Sequence, residues 1–323
     1  MILDHSPVNK IHIGNLSGVD LSPAPSWIKN QANYYLLACR VEAKSPLTLQ
    51  TYSRRIASFI KFMDALELDG NDSDINSYHI RLFLASLQKK GCKASTINSY
   101  YRALQTFFNW LVAENIIVKS PMFNIKPPRI PKTKPQPFSR QDIENLLLLC
   151  SGNKFLARRN RAIILLFLDT GLRLAELANI QLSDMDFDRG LIKVMGKGAK
   201  ERVVRMGKRT QKALLQYLLS RNDSYPSLWV TEERTPLSRH GLQTAIKRLC
   251  HRAAIADAKP GPHTFRHTAA ISFLRNGGSE FTLQIMLGHS TLQMTRRYVS
   301  TLGEDDMIRA HEIASPVDNL FRK

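Results

Sequence analysis

The stretch "LIKVMGKGAKERVVRM", Leu191 to Met206, is where the periodicity of the chain changes. Apolar and charged residues alternate in two short runs on either side of GKGAK. A period of two marks strands with one buried face, and the glycines around Lys197 suit a tight turn, so the stretch predicts a β-hairpin. A further short strand is predicted at "SLWV", 227–230. The rest reads as helix. The fold class is therefore mainly α (α+β), with one small antiparallel sheet inside a helical domain.

Upstream, "SRQDIENLLLLC" opens with Ser139 and Asp142, close to a capping box. Helices are predicted near Lys154 to Leu168 and Leu174 to Ile180. Before them lies "KPPRIPKTKPQP", Lys126 to Pro137, with five prolines, four basic residues and no acid. Proline fixes φ and removes donors, so 126–137 reads as an extended basic linker. It separates a helical domain, 26–125, from a second domain, 138–303.

In the first domain a helix is predicted at about Trp27 to Val41. Another starts at Ser45-Pro46, a favoured N-cap and first-turn pair, with Tyr52, Ile56, Phe59, Ile60 and Met63 along one face. A shorter one ends at Gly91, and one opens at Ser95 with Ile97, Tyr101, Leu104, Phe108 and Leu111 as its stripe. These aromatic stripes read as core. The opposite faces carry Arg54, Arg55, Lys61, Lys93 and Arg102, charges of one sign that are expected to contact DNA phosphates. Residues 1–25 form an N-terminal extension without helical periodicity. Residues 304–323 form a C-terminal tail, with a helix at about Asp305 to Ile313 followed by Val317, Leu320 and Phe321.

The chain of 323 residues holds 46 Lys and Arg against 27 Asp and Glu, a net charge of +19. Both parts are basic, +8 through Gln136 and +11 beyond it. A polyanion touching both parts fits that balance better than a neutral enzyme with one basic tail. The cysteines, Cys39, Cys92, Cys150 and Cys250, are far apart and form no C-x-x-C pair or zinc spacing, so no metal site is expected. Isolated cysteines, no signal peptide and no membrane-length apolar run point to the cytoplasm.

Downstream lies "GPHTFRHTAAISFLRNGG", Gly261 to Gly278. Pro262 starts a helix whose first turn sets His263 and Arg266 at i, i+3 on one face, with His267 behind them. Arg173 in "DTGLRLAEL", Lys197 at the hairpin tip, His289 in "LGHS" and Tyr298 in "TRRY" are equally unusual placements. Each has an ordinary reading on its own. Arg173 could pair with Glu176 or Asp169, Lys197 could be a plain hairpin lysine, and Tyr298 could edge the core.

Together the six match one reaction. A phosphodiester under attack develops charge on its non-bridging oxygens, and two guanidinium forks bind those oxygens in a planar way. A tyrosine is a weak nucleophile that nearby cations and a histidine base can activate. A lysine can protonate the leaving oxygen, and cations from the protein can replace a metal or cofactor.

These motifs, "TGLRLAEL", "GKGAKERVV", "HTFRHTAA" and "LGHSTLQMTRRY", in this order, resemble the tyrosine recombinases of the phage integrase superfamily, at the compact size of Xer-type members. The resemblance runs from about residue 28 to the C-terminus. It implies that Tyr298 attacks a DNA phosphate to form a 3′-phosphotyrosine and that Arg173, Arg266 and His289 hold that phosphate. It further implies Lys197 as general acid and His263 as general base. The helical domain would be a core-binding, SAM-like domain. Together with the catalytic domain it would clamp double-stranded DNA, with Lys132 and Lys134 of the linker near the duplex. Homo-oligomers are implied, a dimer on one site and a tetramer in the synapse, with the tail docking on a neighbour or on its own domain. The task would be integration and excision of a mobile element, or Xer-like dimer resolution. A topoisomerase of type IB and a non-catalytic DNA-binding protein are the competing readings.

Overall fold

The computed structural model describes residues 27–66, 75–131, 136–196, 201–255 and 258–315. The chain divides into two compact units, Met1–Lys132 and Thr133–Lys323. Among the described residues no helix is long and apolar enough to cross a membrane.

Among its described residues the first unit holds four helices, α1 (Trp27–Val41), α2 (Pro46–Asp64), α3 (Ser77–Lys89) and α4 (Ala94–Ala113). Ser45 caps α2 by accepting from the Thr48 N–H at 3.2 Å, and Pro46 takes the first turn, where its missing N–H costs nothing. Helix α4 begins one residue before the expected Ser95, and its cap residue Lys93 offers no side-chain hydrogen bond. The apolar stripes meet in one core of Tyr35, Ile56, Phe59, Phe83, Leu104, Phe107 and Phe108. Phe59 meets Phe83 edge-on at 5.3 Å, the geometry that ring quadrupoles favour. Tyr101 donates its hydroxyl to the Ile125 carbonyl at 2.8 Å and so ties down the chain after α4.

The second unit is built around α6 (Phe155–Thr170). Its run of Ala162, Ile163, Ile164, Leu166 and Phe167 is buried, because α8 (Lys208–Leu218) and α10 (Pro262–Arg275) cover it. Phe265 of α10 lies 4.7 Å from Phe138 and 5.6 Å from Phe167. The unit's other helices are α5 (Arg140–Leu148), α7 (Leu174–Ala178), α9 (Arg239–Arg252), α11 (Glu280–Leu287), α12 (Gln293–Val299) and α13 (Glu304–Ala314). The capping box expected at Ser139 and Asp142 is formed at the start of α5.

The three-stranded antiparallel sheet runs β1 (Met185–Asp186), β2 (Leu191–Met195), β3 (Glu201–Arg205), with Ile192 opposite Val204 and Met195 opposite Glu201. Ile192, Val194 and Val204 point into the core. The hairpin is as expected. The third strand is not: β1 fills that place, whereas Ser227 and Val230 make only isolated bridges, to Gln181 and Pro236. Two residues are too few to leave an alternating pattern in sequence, and the buried run Leu228–Val230 supplied a misleading one.

Helix α13 packs on α10 of its own unit, and Arg275 pairs with Asp306 at 3.0 Å. The segment carrying Val317, Leu320 and Phe321 lies outside the described residues, as do 1–25, Lys132, Lys134 and Lys197.

Candidate active site

Helix α10 is buried along most of its length, from Pro262 to Ile271 with only His263 exposed. A cation in such a helix must be met by acceptors. Arg266, 5% exposed, gives Nη1 to the Gly171 carbonyl at 2.7 Å. Its Nη2 reaches the Leu287 carbonyl at 2.8 Å and His289 Nε2 at 3.0 Å. Burial, then the neighbouring Arg173 cation, lowers its pKa to about 10, so it stays charged at neutral pH.

Both carbonyls come from helix ends. Gly171 closes α6 at φ 60°, the left-handed conformation that glycine tolerates best. A Cβ there would lie 2.8 Å from Leu287 Cδ2. Gly171→Ala is expected to cost about 1–2 kcal/mol from the backbone alone, plus the displacement of Leu287, readable as a lower denaturant midpoint. A midpoint equal to wild type would show that neither constraint matters.

Arg173 sits at the start of α7 and pairs with Glu176, Nη1 to Oε1 at 2.8 Å, while Nη2 reaches the Gly288 carbonyl at 3.1 Å. Asp169 instead accepts from the Gly207 N–H. Arg202 of β3 completes the arrangement. Its two terminal nitrogens meet the two Glu176 oxygens at 2.9 Å each, and its Nε reaches the Met286 carbonyl at 3.1 Å. With the Arg173 N–H at 2.7 Å, Glu176 accepts four hydrogen bonds. Burial alone would raise its pKa, but the bonds from Arg202 and Arg173 hold it down to about 2.

His289 lies in the turn between α11 and α12, with Nδ1 2.8 Å from Thr295 Oγ1. Burial, then Arg266, Arg297, Arg173 and Arg202, pushes its pKa down to about 4, so the ring is neutral at neutral pH. The Tyr298 ring stacks parallel to it at 6.1 Å, and the His267 ring lies 5.3 Å from Tyr298 on a tilt. Tyr298 is 2% exposed, and its hydroxyl accepts from Arg297 Nη2 at 2.8 Å.

Arg173, Arg266, His289 and Tyr298 thus converge from four separate segments. Lys197 falls outside the described residues, although the flanking strands are in place. His263 is exposed one turn before Arg266, on the first turn of α10. Sequence reasoning missed Arg202, Thr295 and Arg297, and weighed Glu176 only as a possible partner of Arg173. Arg202 had a usable signal, because strand alternation sets it on the same face as buried Val204. Among the described residues no group of three or more His, Cys, Asp or Glu could hold a metal ion.

In the first unit, Arg54, Lys61, Lys93 and Arg102 are exposed, and Arg55 leans over the Tyr100 ring at 4.1 Å. The four cysteines are free, and burial pushes the Cys150 and Cys250 thiols up to about 11, which makes them poor nucleophiles.

A network of three arginines around one saturated carboxylate, beside a neutral histidine and a tyrosine, can bind an anion and attack it. Comparison with known proteins agrees. The sequence model of the phage integrase family matches residues 137–304, and that of the phage integrase N-terminal SAM-like domain matches 33–117. Tyrosine recombinase XerA of Thermococcus kodakarensis is 31% identical over 285 residues, 87% of this chain and 94% of its own length. The chain belongs to the phage integrase family. Another relative, tyrosine recombinase XerC of Bacillus pumilus, is 29% identical over 265 residues, 79% of this chain and 86% of its own. The Xer-type resemblance and the site-specific recombinase activity expected from sequence are thereby borne out, and the competing readings are not favoured.

The fold agrees as well. The Tn1549 transposon integrase in complex with transposon right end DNA gives a TM-score of 0.71 at 19% identity, covering 88% of this chain and 99% of that one. A lambda integrase dimer bound to a COC′ core site gives 0.69 at 17% identity, covering 82% and 96%.

Proposed function

We propose that this phage integrase family member cuts and rejoins double-stranded DNA with Tyr298 as nucleophile. The observation that carries this reading is the stacking of Tyr298 on His289, which bonds Arg266 in turn. The nucleophile and the phosphate-binding cations thus belong to one packed network of a single chain. The phenol oxygen attacks phosphorus, a Tyr298–phosphate bond forms, and the bond to the 5′-oxygen breaks. His263 takes the phenol proton, and Lys197 protonates the departing 5′-oxygen. Arg173, Arg266 and His289 bind the non-bridging oxygens, whose charge grows in the transition state. The reverse reaction, with a 5′-hydroxyl from a second duplex, reseals the strand without an external energy source.

The helical domain 26–125 serves as the core-binding domain and 138–303 as the catalytic domain, with the basic linker 126–137 crossing the DNA. Two copies occupy a site and four form the synapse, the first by analogy with the lambda integrase dimer on its core site. The cytoplasm is the compartment where such DNA is met.

The test uses a pool of duplexes of randomised sequence, each nicked so that the released 5′ fragment diffuses away. Wild-type protein should leave a covalent adduct that survives denaturation. Binding without any adduct would sink the enzyme reading. Binding should also fall by about 10³-fold or more between roughly 50 and 200 mM salt, because many phosphates are neutralised. Arg102→Ala should reduce the log–log slope by about one. A flat dependence would contradict contacts along the duplex.

A further inference from the structure

We propose that Thr295 is a positioning residue whose hydroxyl lets His289 exchange the ring nitrogen that carries its proton when a DNA phosphate enters the site. The inference rests on the reading above, that His289 faces a phosphate. It starts from one asymmetry. A guanidinium donates hydrogen bonds and cannot accept them. Arg266 Nη2 lies 3.0 Å from His289 Nε2, so Nε2 holds a lone pair toward it. The neutral ring then carries its proton on Nδ1 and donates it to Thr295 Oγ1 at 2.8 Å.

A doubly protonated ring does not fit this setting. It would aim an N–H at the Arg266 cation. The charged groups acting on His289 are Arg266, Arg297, Arg173 and Arg202, and the carboxylate of Glu176 is already saturated by Arg173 and Arg202. The depressed pKa of His289 is consistent with that.

A phosphate oxygen reverses the demand on the ring. It accepts hydrogen bonds, so His289 can hold it only through Nε2–H. In the exchange Nδ1 gives one proton to water and Nε2 takes one from water, and the ring stays neutral. Nδ1 is then an acceptor and needs a donor. A carbonyl or carboxylate at position 295 would hold the proton on Nδ1 permanently, and an apolar side chain would satisfy neither state. A hydroxyl serves both by rotating. Thr295 is fully buried, at 0% exposure, so its hydroxyl is not there for solvent. It also lies three residues before Tyr298 on α12. The group that orients the His289 ring is therefore fixed to the helix that presents the nucleophile.

The test compares Thr295→Val, nearly the same shape without the hydroxyl, with Thr295→Ser on a nicked duplex recovered from the randomised pool. The rate of adduct formation should fall about 10- to 100-fold in the valine variant, short of the 10²–10³ seen when a donor to developing charge is removed outright. Duplex affinity should stay within about twofold, and serine should restore most of the rate. In parallel, ¹⁵N-histidine spectra of Tyr298→Phe, assigned with His289→Gln, should show Nδ1–H in the free protein and Nε2–H on the duplex. Equal rates for wild type and Thr295→Val, the same tautomer in both states, or a doubly protonated ring on DNA would each overturn the proposal. If wild type itself forms no adduct, it is the underlying catalytic reading that fails.

Discussion

Tyr298→Phe should bind the same duplex as wild type and yield no covalent adduct. The substitution removes one oxygen and leaves the ring where it packs, among Ala270, Ile271, Leu283 and Leu287 and against His289. The hydroxyl's recorded partner is the exposed Arg297, so its loss should change stability by no more than about 1 kcal/mol. The chemical effect is of another order. Removing a nucleophilic oxygen costs on the order of 10⁶ in rate in a well-studied hydrolase. The gap between an unchanged melting curve and an abolished adduct is what separates a nucleophile from a packing residue. An adduct of undiminished yield from Tyr298→Phe would assign the chemistry to another side chain.

Glu176→Gln should destabilise the second unit by about 3–5 kcal/mol, the usual consequence of breaking a buried ion pair by removing one partner. All four lone-pair positions of Glu176 are taken by donors from Arg173 and Arg202. Glutamine keeps one acceptor oxygen and turns an NH2 toward a guanidinium, so two bonds are lost and Arg173 and Arg202 lose the carboxylate that pairs with both. For a unit of this size the melting temperature should fall by about 6–20 °C. A loss under about 1 kcal/mol would mean that the arginines find other acceptors.

The same carboxylate sets an acid limit. Its pKa is held to about 2, below the 4.5 of the free group. A group depressed in the folded state contributes stability that is complete above about pH 5 and is lost as pH falls toward 2. Glu176→Gln should flatten that window. His289, depressed from 6.5 to about 4, adds an earlier loss between those values, because the unfolded chain takes up its proton first.

Much of this was legible before any coordinates. Ser45-Pro46, Ser139 with Asp142, and Pro262 announce helix starts through local chemistry, and the structure begins α2, α5 and α10 there. The inventory of Arg173, Lys197, His263, Arg266, His289 and Tyr298 pointed to phosphodiester chemistry because each residue type has a distinct job in it, and their order carried the family resemblance. The supporting contacts were not legible. Arg202 reaches Glu176 across 26 positions and Met286 across 84, and no local pattern encodes such distances. Thr295 looks like any helical threonine until the His289 ring is seen against it. His263 shows a limit of helical spacing: it shares a face with Arg266 by periodicity, yet one is exposed and the other buried, because α10 is enclosed from Thr264 to Ile271 and open at His263.

The arginines of the site lean heavily on main-chain oxygens, Arg266 on Gly171 and Leu287, Arg202 on Met286, Arg173 on Gly288. An amide oxygen is supplied by every amino acid. The side chains of residues 286 and 287 can therefore be exchanged during divergence without unhooking the cations. A shift in the path of the α11 terminus would withdraw three of these oxygens at once, so insertions or deletions near Gly288 should be far more damaging than apolar replacements of similar size at Met286 or Leu287.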